Sequence, residues 1–184
     1  VPVGSYEPSI DTLAVLPNDA ARRSFWLKNG VVLYGGFQGT ETTLSQRDPV
    51  NFKAHLNGEI TPGVFAEHVI NVYAHIDTTA VMDGFAVENG NSFVSSTEKN
   101  GSGMILRGDA YFRNMLFRNN FSYNQGGAIY AENSESRFVA CNFTNNKTIQ
   151  FDGGAVNFVY SNIKMYNCVF WMNQATRFGG AITT

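Results

Sequence analysis

The sequence predicts an all-β fold, a right-handed parallel β-helix (solenoid) of roughly six to seven rungs, each of three short strands. Three observations predict it. Gly126-Gly127-Ala128-Ile129 recurs as Gly153-Gly154-Ala155-Val156 and again as Gly179-Gly180-Ala181-Ile182 at a nearly constant spacing. Phe117, Phe143 and Phe170 open three Phe-x-x-Asn units closing on Asn120, Asn146 and Asn173, and these keep the same spacing. The composition agrees: 20 Asn, 18 Gly and 15 Phe stand beside only 15% charged residues, well under the roughly 25% of an ordinary soluble domain. Such a chain is poor in the residues that build amphipathic helices, while 43% apolar residues suffice for a core.

Taken in order, the chain opens on Val1 with neither Met nor a charged-then-apolar leader, so any signal peptide is expected to lie outside it. Residues 1–66 read as irregular N-terminal rungs, with the glycine-punctuated run Gly30–Phe37 as a strand, and residues 67–184 as the regular rungs of one continuous solenoid. A weaker copy lies upstream, with Phe85 opening the matching segment Phe85-Ala86-Val87-Glu88-Asn89 and Gly101-Ser102-Gly103-Met104-Ile105 standing for the Gly-Gly-Ala strand. The best unit divides into Gly127–Glu132, Ser136–Cys141 and Asn142–Asn145, separated by Asn/Gly/Ser corners. Strands so short cannot bury an apolar face alone, but stacked copies share one core. The chain stops inside a strand, at Gly179–Thr184. Truncation of a longer solenoid is expected there; the alternative is end-to-end docking of copies into a fibre.

In a stacked frame each repeat residue has a task. The Phe side chains would stack rung on rung in the core. The three Asn would turn inward at one corner and bond backbone groups that the turn leaves unpaired. The glycine pairs would relax the backbone where a turn enters a strand. Cys141 and Cys168 lie one repeat apart and share parity with the core Phe; they read as buried thiols rather than a disulfide.

The net charge of −2 argues against nucleic acid as a partner, and no apolar run is long enough for a transmembrane helix. No two acids fall at equivalent outward positions of the Gly-Gly-Ala strands, where Tyr130, Asn157 and Thr183 line up instead. Those three are the candidate surface-binding row. Arg107-Gly108-Asp109, Arg113 and Arg118 gather within one rung, and Asp77, Asp83 and Glu88 form a loose acidic run, the one place where Ca²⁺ would bind; solvated carboxylates are the favoured reading. His55, His68 and His75 lack the spacing of a zinc site. The Arg-Gly-Asp tripeptide reads as a plain turn. Asn120-Phe121-Ser122, Asn142-Phe143-Thr144 and Asn146-Lys147-Thr148 fit a glycosylation sequon, two of them on corner Asn residues. Tyr123, Tyr130, Tyr160 and Trp171 would serve either corner packing or a sugar-stacking strip.

Gly-Gly-Ala-Ile with Phe-x-x-Asn resembles the polymorphic outer-membrane protein repeat first recognised in chlamydial surface proteins. The stretch Phe25–Glu41, then Ser45-Gln46-Arg47-Asp48-Pro49, with Leu56–Ile60 and Val81–Phe85, resembles the opening of large secreted bacterial β-helix proteins. The resemblance implies a compartment outside the cytoplasm, extracellular or at the cell surface. It implies a structural or adhesive passenger segment that presents a repetitive rigid surface to glycans, surface proteins or copies of itself, without a cofactor. An enzyme or glycan-binding module acting on carbohydrate is the alternative, with a groove flanked by loops from 38–66 and 89–100.

Overall fold

A computed structural model describes residues 1–8, 23–93 and 98–184; positions 94–97 of the expected 89–100 loop lie outside them. Three parallel sheets run the length of the molecule, and each rung contributes one strand to each. The first sheet holds Phe25–Trp26, Ile70–Val72, Met104–Leu106, Ile129–Glu132, Val156–Val159 and Ile182–Thr183. The second holds Val32–Tyr34, Val81–Asp83, Tyr111–Arg113, Arg137–Val139 and Lys164–Tyr166. The third holds Gly4–Tyr6, Ala54–Asn57, Phe85–Glu88, Leu116–Arg118, Asn142–Thr144 and Val169–Trp171. This is a parallel β-solenoid.

It has about five turns, fewer than the six to seven expected from the length. The register explains the difference. Successive first-sheet strands pair Phe25 with Ile70, Ile70 with Met104, Met104 with Ile129, Ile129 with Val156 and Val156 with Ile182. The first two of these steps are much longer than the last three, so only the later rungs keep the short period. The early excess goes into excursions, among them a 3-10 turn at Leu44–Gln46 and an antiparallel pair between Glu59–Thr61 and Val64–Phe65.

Alternation sends every second strand residue inward. The interior is therefore a set of columns along the axis: Ile70, Met104, Ile129 and Val156 from the first sheet, Met82, Phe112 and Phe138 from the second, Leu56, Val87, Phe117 and Phe143 from the third. Phe117, Phe143 and Phe170 stack with centroids 5.0 and 4.6 Å apart and planes 4° from parallel. Phe112 and Phe138 form a second stack at 4.7 Å. Phe85, by contrast, is not the rung-equivalent of Phe117. Val87 pairs with Phe117, and Phe85 pairs with Ala54 nearer the start of the strand.

Asn120, Asn146 and Asn173 form a ladder at the corner after the third sheet. Asn146 Nδ2 donates to Asn173 Oδ1 at 2.9 Å and to the Phe117 carbonyl at 3.0 Å. Its Oδ1 accepts from Asn120 Nδ2 at 3.0 Å and from the Asn120 amide at 3.2 Å. Asn120 repeats the pattern with Val87 and the Gly90 amide, so Gly90 ends the ladder where the upstream rung has no carboxamide. A second set of asparagines does different work. Asn89, Asn119 and Asn145 precede the ladder positions with φ of 58, 54 and 53°, and Asn114, Asn133 and Asn167 turn other corners in the same left-handed region, which Asn tolerates better than most residues. The excess of Asn therefore divides between inward ladders and left-handed corners. Gly126 and Gly153 also take positive φ, and a Cβ on Gly127 would fall on the Gly154 carbonyl oxygen. In the first two pairs the first glycine supplies a conformation and the second supplies clearance.

Because Asn146 is fully buried, Asn146→Ala leaves two backbone groups and two carboxamides short of partners. Urea unfolding should show a loss of about 2–4 kcal/mol, whereas Asn142→Ala on the outer face should stay within about 0.5 kcal/mol. Equal, small losses at both positions would contradict the ladder's role.

Candidate functional site

With its core filled, the solenoid acts through its surface, and the outward rows of its three sheets differ. On the first sheet the row runs Trp26, Asn71, Ile105, Tyr130, Asn157, Thr183. Tyr130, Asn157 and Thr183 do stand side by side, but Tyr130 is 8% exposed and Asn157 3%. An open binding row is therefore not what the fold presents: the turn carrying Gly101 packs against the Tyr130 backbone and Cβ, and Thr183 is half-buried. Burial, then the Glu132 and Glu98 carboxylates, raises the Tyr130 hydroxyl above its ordinary range. The next row pairs Arg107 with Glu132 at 3.1 Å, and Arg107 also binds Glu98 at 2.5 Å.

The third sheet's outer face carries a charge network. Glu88 sits between His55, whose Nδ1 lies 2.8 Å from Oε1, and Arg118 on the following rung. Asn57, Glu88, Arg118, Thr144 and Trp171 form one row in register.

The second sheet's outer face is the most basic. One row is Val32, Val81, Tyr111, Arg137, Lys164; the other is Tyr34, Asp83, Arg113, Val139, Tyr166. The Arg113 guanidinium lies 4.8 Å and that of Arg137 5.2 Å from the Tyr111 ring centre, and Arg137 donates to the Tyr111 hydroxyl at 2.8 Å. Asp83 is held by Arg47 at 2.8 and 2.9 Å and by Asn114 at 2.8 Å. Burial alone would raise its carboxyl, but these bonds outweigh it and hold Asp83 below the usual carboxylate range. Lys53, beneath the same corner, donates to the Asn114 carbonyl at 2.8 Å, and burial lowers its ammonium.

The groups that look clustered in sequence are therefore dispersed. Arg107, Arg113 and Arg118 face three different sheets, since a rung turns two corners between them. Asp77 caps the Thr79 amide and hydroxyl, Asp83 binds Arg47, and Glu88 binds His55 and Arg118. Glycoside hydrolysis needs two carboxylates flanking one groove, and these stand on different faces. Among the described residues no three His, Cys, Asp or Glu gather closely enough to hold a metal ion. The Arg-Gly-Asp corner is tied down, with the Gly108 carbonyl accepting from Ser134 at 2.8 Å and Asp109 Oδ1 accepting from the Glu135 amide at 2.6 Å. Of the sequons, Asn120 and Asn146 are buried and Asn142 is exposed. Tyr160 and Trp171 are open at 89% and 64%, while Tyr123 packs against Phe93 under Lys99. Cys141 and Cys168 are free thiols on adjacent rungs, Cys141 buried and Cys168 partly exposed. Hydrogen bonding to Cys168, then burial, pushes the Cys141 thiol up.

Fold and repeats together define the class: a β-helix repeat protein. Within it, the profile of the Chlamydia polymorphic membrane protein (Chlamydia_PMP) repeat matches residues 114–132. That segment spans Phe117, Asn120 and the first Gly-Gly-Ala-Ile, so the chain carries a rung resembling that family's repeat. Nothing among the curated proteins or the solved structures matches the chain. No described helix is long and apolar enough to cross a membrane.

His68 is buried, and its Nδ1 meets the Gly101 carbonyl at 3.1 Å. Burial lowers its pKa from 6.5 to about 4. The folded chain thus refuses a proton that the unfolded chain accepts. Its contribution is complete above pH 6.5 and is lost as pH falls through about 4, about 3 kcal/mol in all. Urea unfolding of His68→Gln between pH 7 and pH 4 should show a correspondingly flatter loss of stability; an unchanged slope would contradict this.

Proposed function

We propose that the chain is an adhesive segment of a larger surface-displayed protein, located outside the cytoplasm, that offers a rigid repetitive face to glycans, surface proteins or further copies of itself. One observation carries this reading. The inward columns hold successive rungs in register, so outward side chains recur at the inter-strand spacing of about 4.8 Å on faces that differ in character. Rigid display of this kind lowers the ordering cost of binding an extended partner. The resemblance to a polymorphic membrane protein repeat supports the surface compartment.

Beads coated with the folded chain should be retained on cell and glycan surfaces several-fold better than beads coated with the heat-unfolded chain. Equal retention of the two would overturn the adhesive reading.

A further inference from the structure

The outer face of the second sheet combines three features. Its cations are sparsely committed: among the described residues Arg113, Arg137 and Lys164 enter no ion pair, Arg113 meeting only the field of its register partner Asp83, whereas Arg47, Arg107, Arg118 and Arg177 each face a carboxylate. The face's own carboxylate, Asp83, is occupied by Arg47 and Asn114. Finally, the cations stand among aromatic rings, with Tyr111 between Arg113 and Arg137 and the half-exposed Tyr166 two positions beyond Lys164 on the same strand. Asp109 and Glu135 lie at the corner leading into this sheet, and Asp109 is partly committed to the Glu135 amide.

The spacing is set by the fold. Arg137 and Lys164 are direct register partners on adjacent strands, hence about 5 Å apart along the axis. Arg113 and Arg137 are diagonal neighbours, about 7–8 Å apart. Stacking on Tyr111 restricts both guanidinium planes before any ligand arrives, and a planar fork suits a carboxylate or sulfate. The half-exposed ring of Tyr166, beside Lys164, suits the C–H face of a sugar ring. The cations follow one another from rung to rung along the stack, an arrangement suited to an extended chain rather than a compact ligand. Duplex nucleic acid is a poorer match, since its binding commonly neutralises about 6–10 phosphates and this face offers three cations on a chain of net charge −2.

From these features we infer that the outer face of the second sheet binds a linear anionic polysaccharide, one bearing carboxylates or sulfates along its length, through Arg113, Arg137 and Lys164, with Tyr111 holding the two guanidinium groups and Tyr166 under a sugar ring. This rests on the surface-display reading and names the partner of one face.

The test uses the 184-residue chain and a heparin-derived oligosaccharide as probe, with neutral dextran, poly-glutamate and duplex DNA as comparators in titration calorimetry. Wild type should bind the probe and not dextran, with affinity falling roughly tenfold or more between 50 and 200 mM salt, as three charge contacts require. Arg137→Gln/Lys164→Gln should weaken binding about tenfold or more, while Lys28→Gln/Lys147→Gln, which removes equal charge elsewhere, should stay within about twofold. Acetylation footprinting on wild type gives a second reading that needs no variant to fold: the probe should protect Lys164 and leave Lys28 and Lys147 reactive. Equal weakening by both variants, equal affinity for DNA or poly-glutamate, binding to neutral dextran as tight as to the probe, or an unprotected Lys164 would overturn the assignment. Bead retention that survives in a folded Arg137→Gln/Lys164→Gln chain would remove this face while leaving surface display intact.

Discussion

The carboxamide of Asn146 makes four hydrogen bonds in a space that water does not reach, two given and two received, and every one crosses to another rung. A parallel stack faces the difficulty that very short strands can slip past one another, and a slip by one position turns the core side outward. Burial of the core opposes that slip, but a slip by two positions keeps the same face inward, and apolar columns resist it less strongly. A buried carboxamide is less tolerant. In any other register its donors and acceptors go unpaired, at a cost of about 1–3 kcal/mol for each group. The Asn ladder thereby fixes which residue lies above which, and the stacked Phe117, Phe143 and Phe170 supply the cohesion that the fixed register allows.

The outside of the molecule follows from that constraint. Once rungs are in register, the row containing Arg137 must continue as Lys164, and the row containing Glu88 as Arg118. Charges of opposite sign that meet this way neutralise each other, as on the third sheet. Where like charges or rings follow one another, as on the second sheet, a persistent field and an aromatic surface result. The first sheet's outer face is largely closed by its own turns, and Tyr130 and Asn157 on it are nearly buried. A single rod thus presents three chemically unlike faces, set by which residue types the repeat places outward.

The architecture is legible in the sequence because Gly-Gly-Ala and Phe-x-x-Asn each answer a demand that recurs once per rung: clearance for the neighbouring backbone, and a ring plus a carboxamide at one corner. Legibility fails where the demand is met by other residues. Val87 and Gly90 stand where Phe and Asn stand later, so Phe85–Asn89 mimics a repeat unit whose true register begins at Val87. Dividing the length by the late period overestimates the turns, because the early rungs, from Phe25 to Ile70 and from Ile70 to Met104, use far more chain. Parity aligns Tyr130 and Asn157 correctly, but parity does not tell an open row from one covered by turns. The basic face escapes sequence reasoning since Arg113, Arg137 and Lys164 come from three rungs, and their freedom depends on Arg47 reaching Asp83 from a distant part of the chain. No local pattern encodes that pairing.

A double-mutant cycle between Asn120 and Asn146, with Asn120→Ala, Asn146→Ala and the double variant unfolded in urea, tests most directly whether the ladder holds the rungs in register. The account predicts a coupling free energy of about 1 kcal/mol or more, since each carboxamide has value mainly through the other. Losses that add to within about 0.3 kcal/mol would show two independent corner residues and would contradict it.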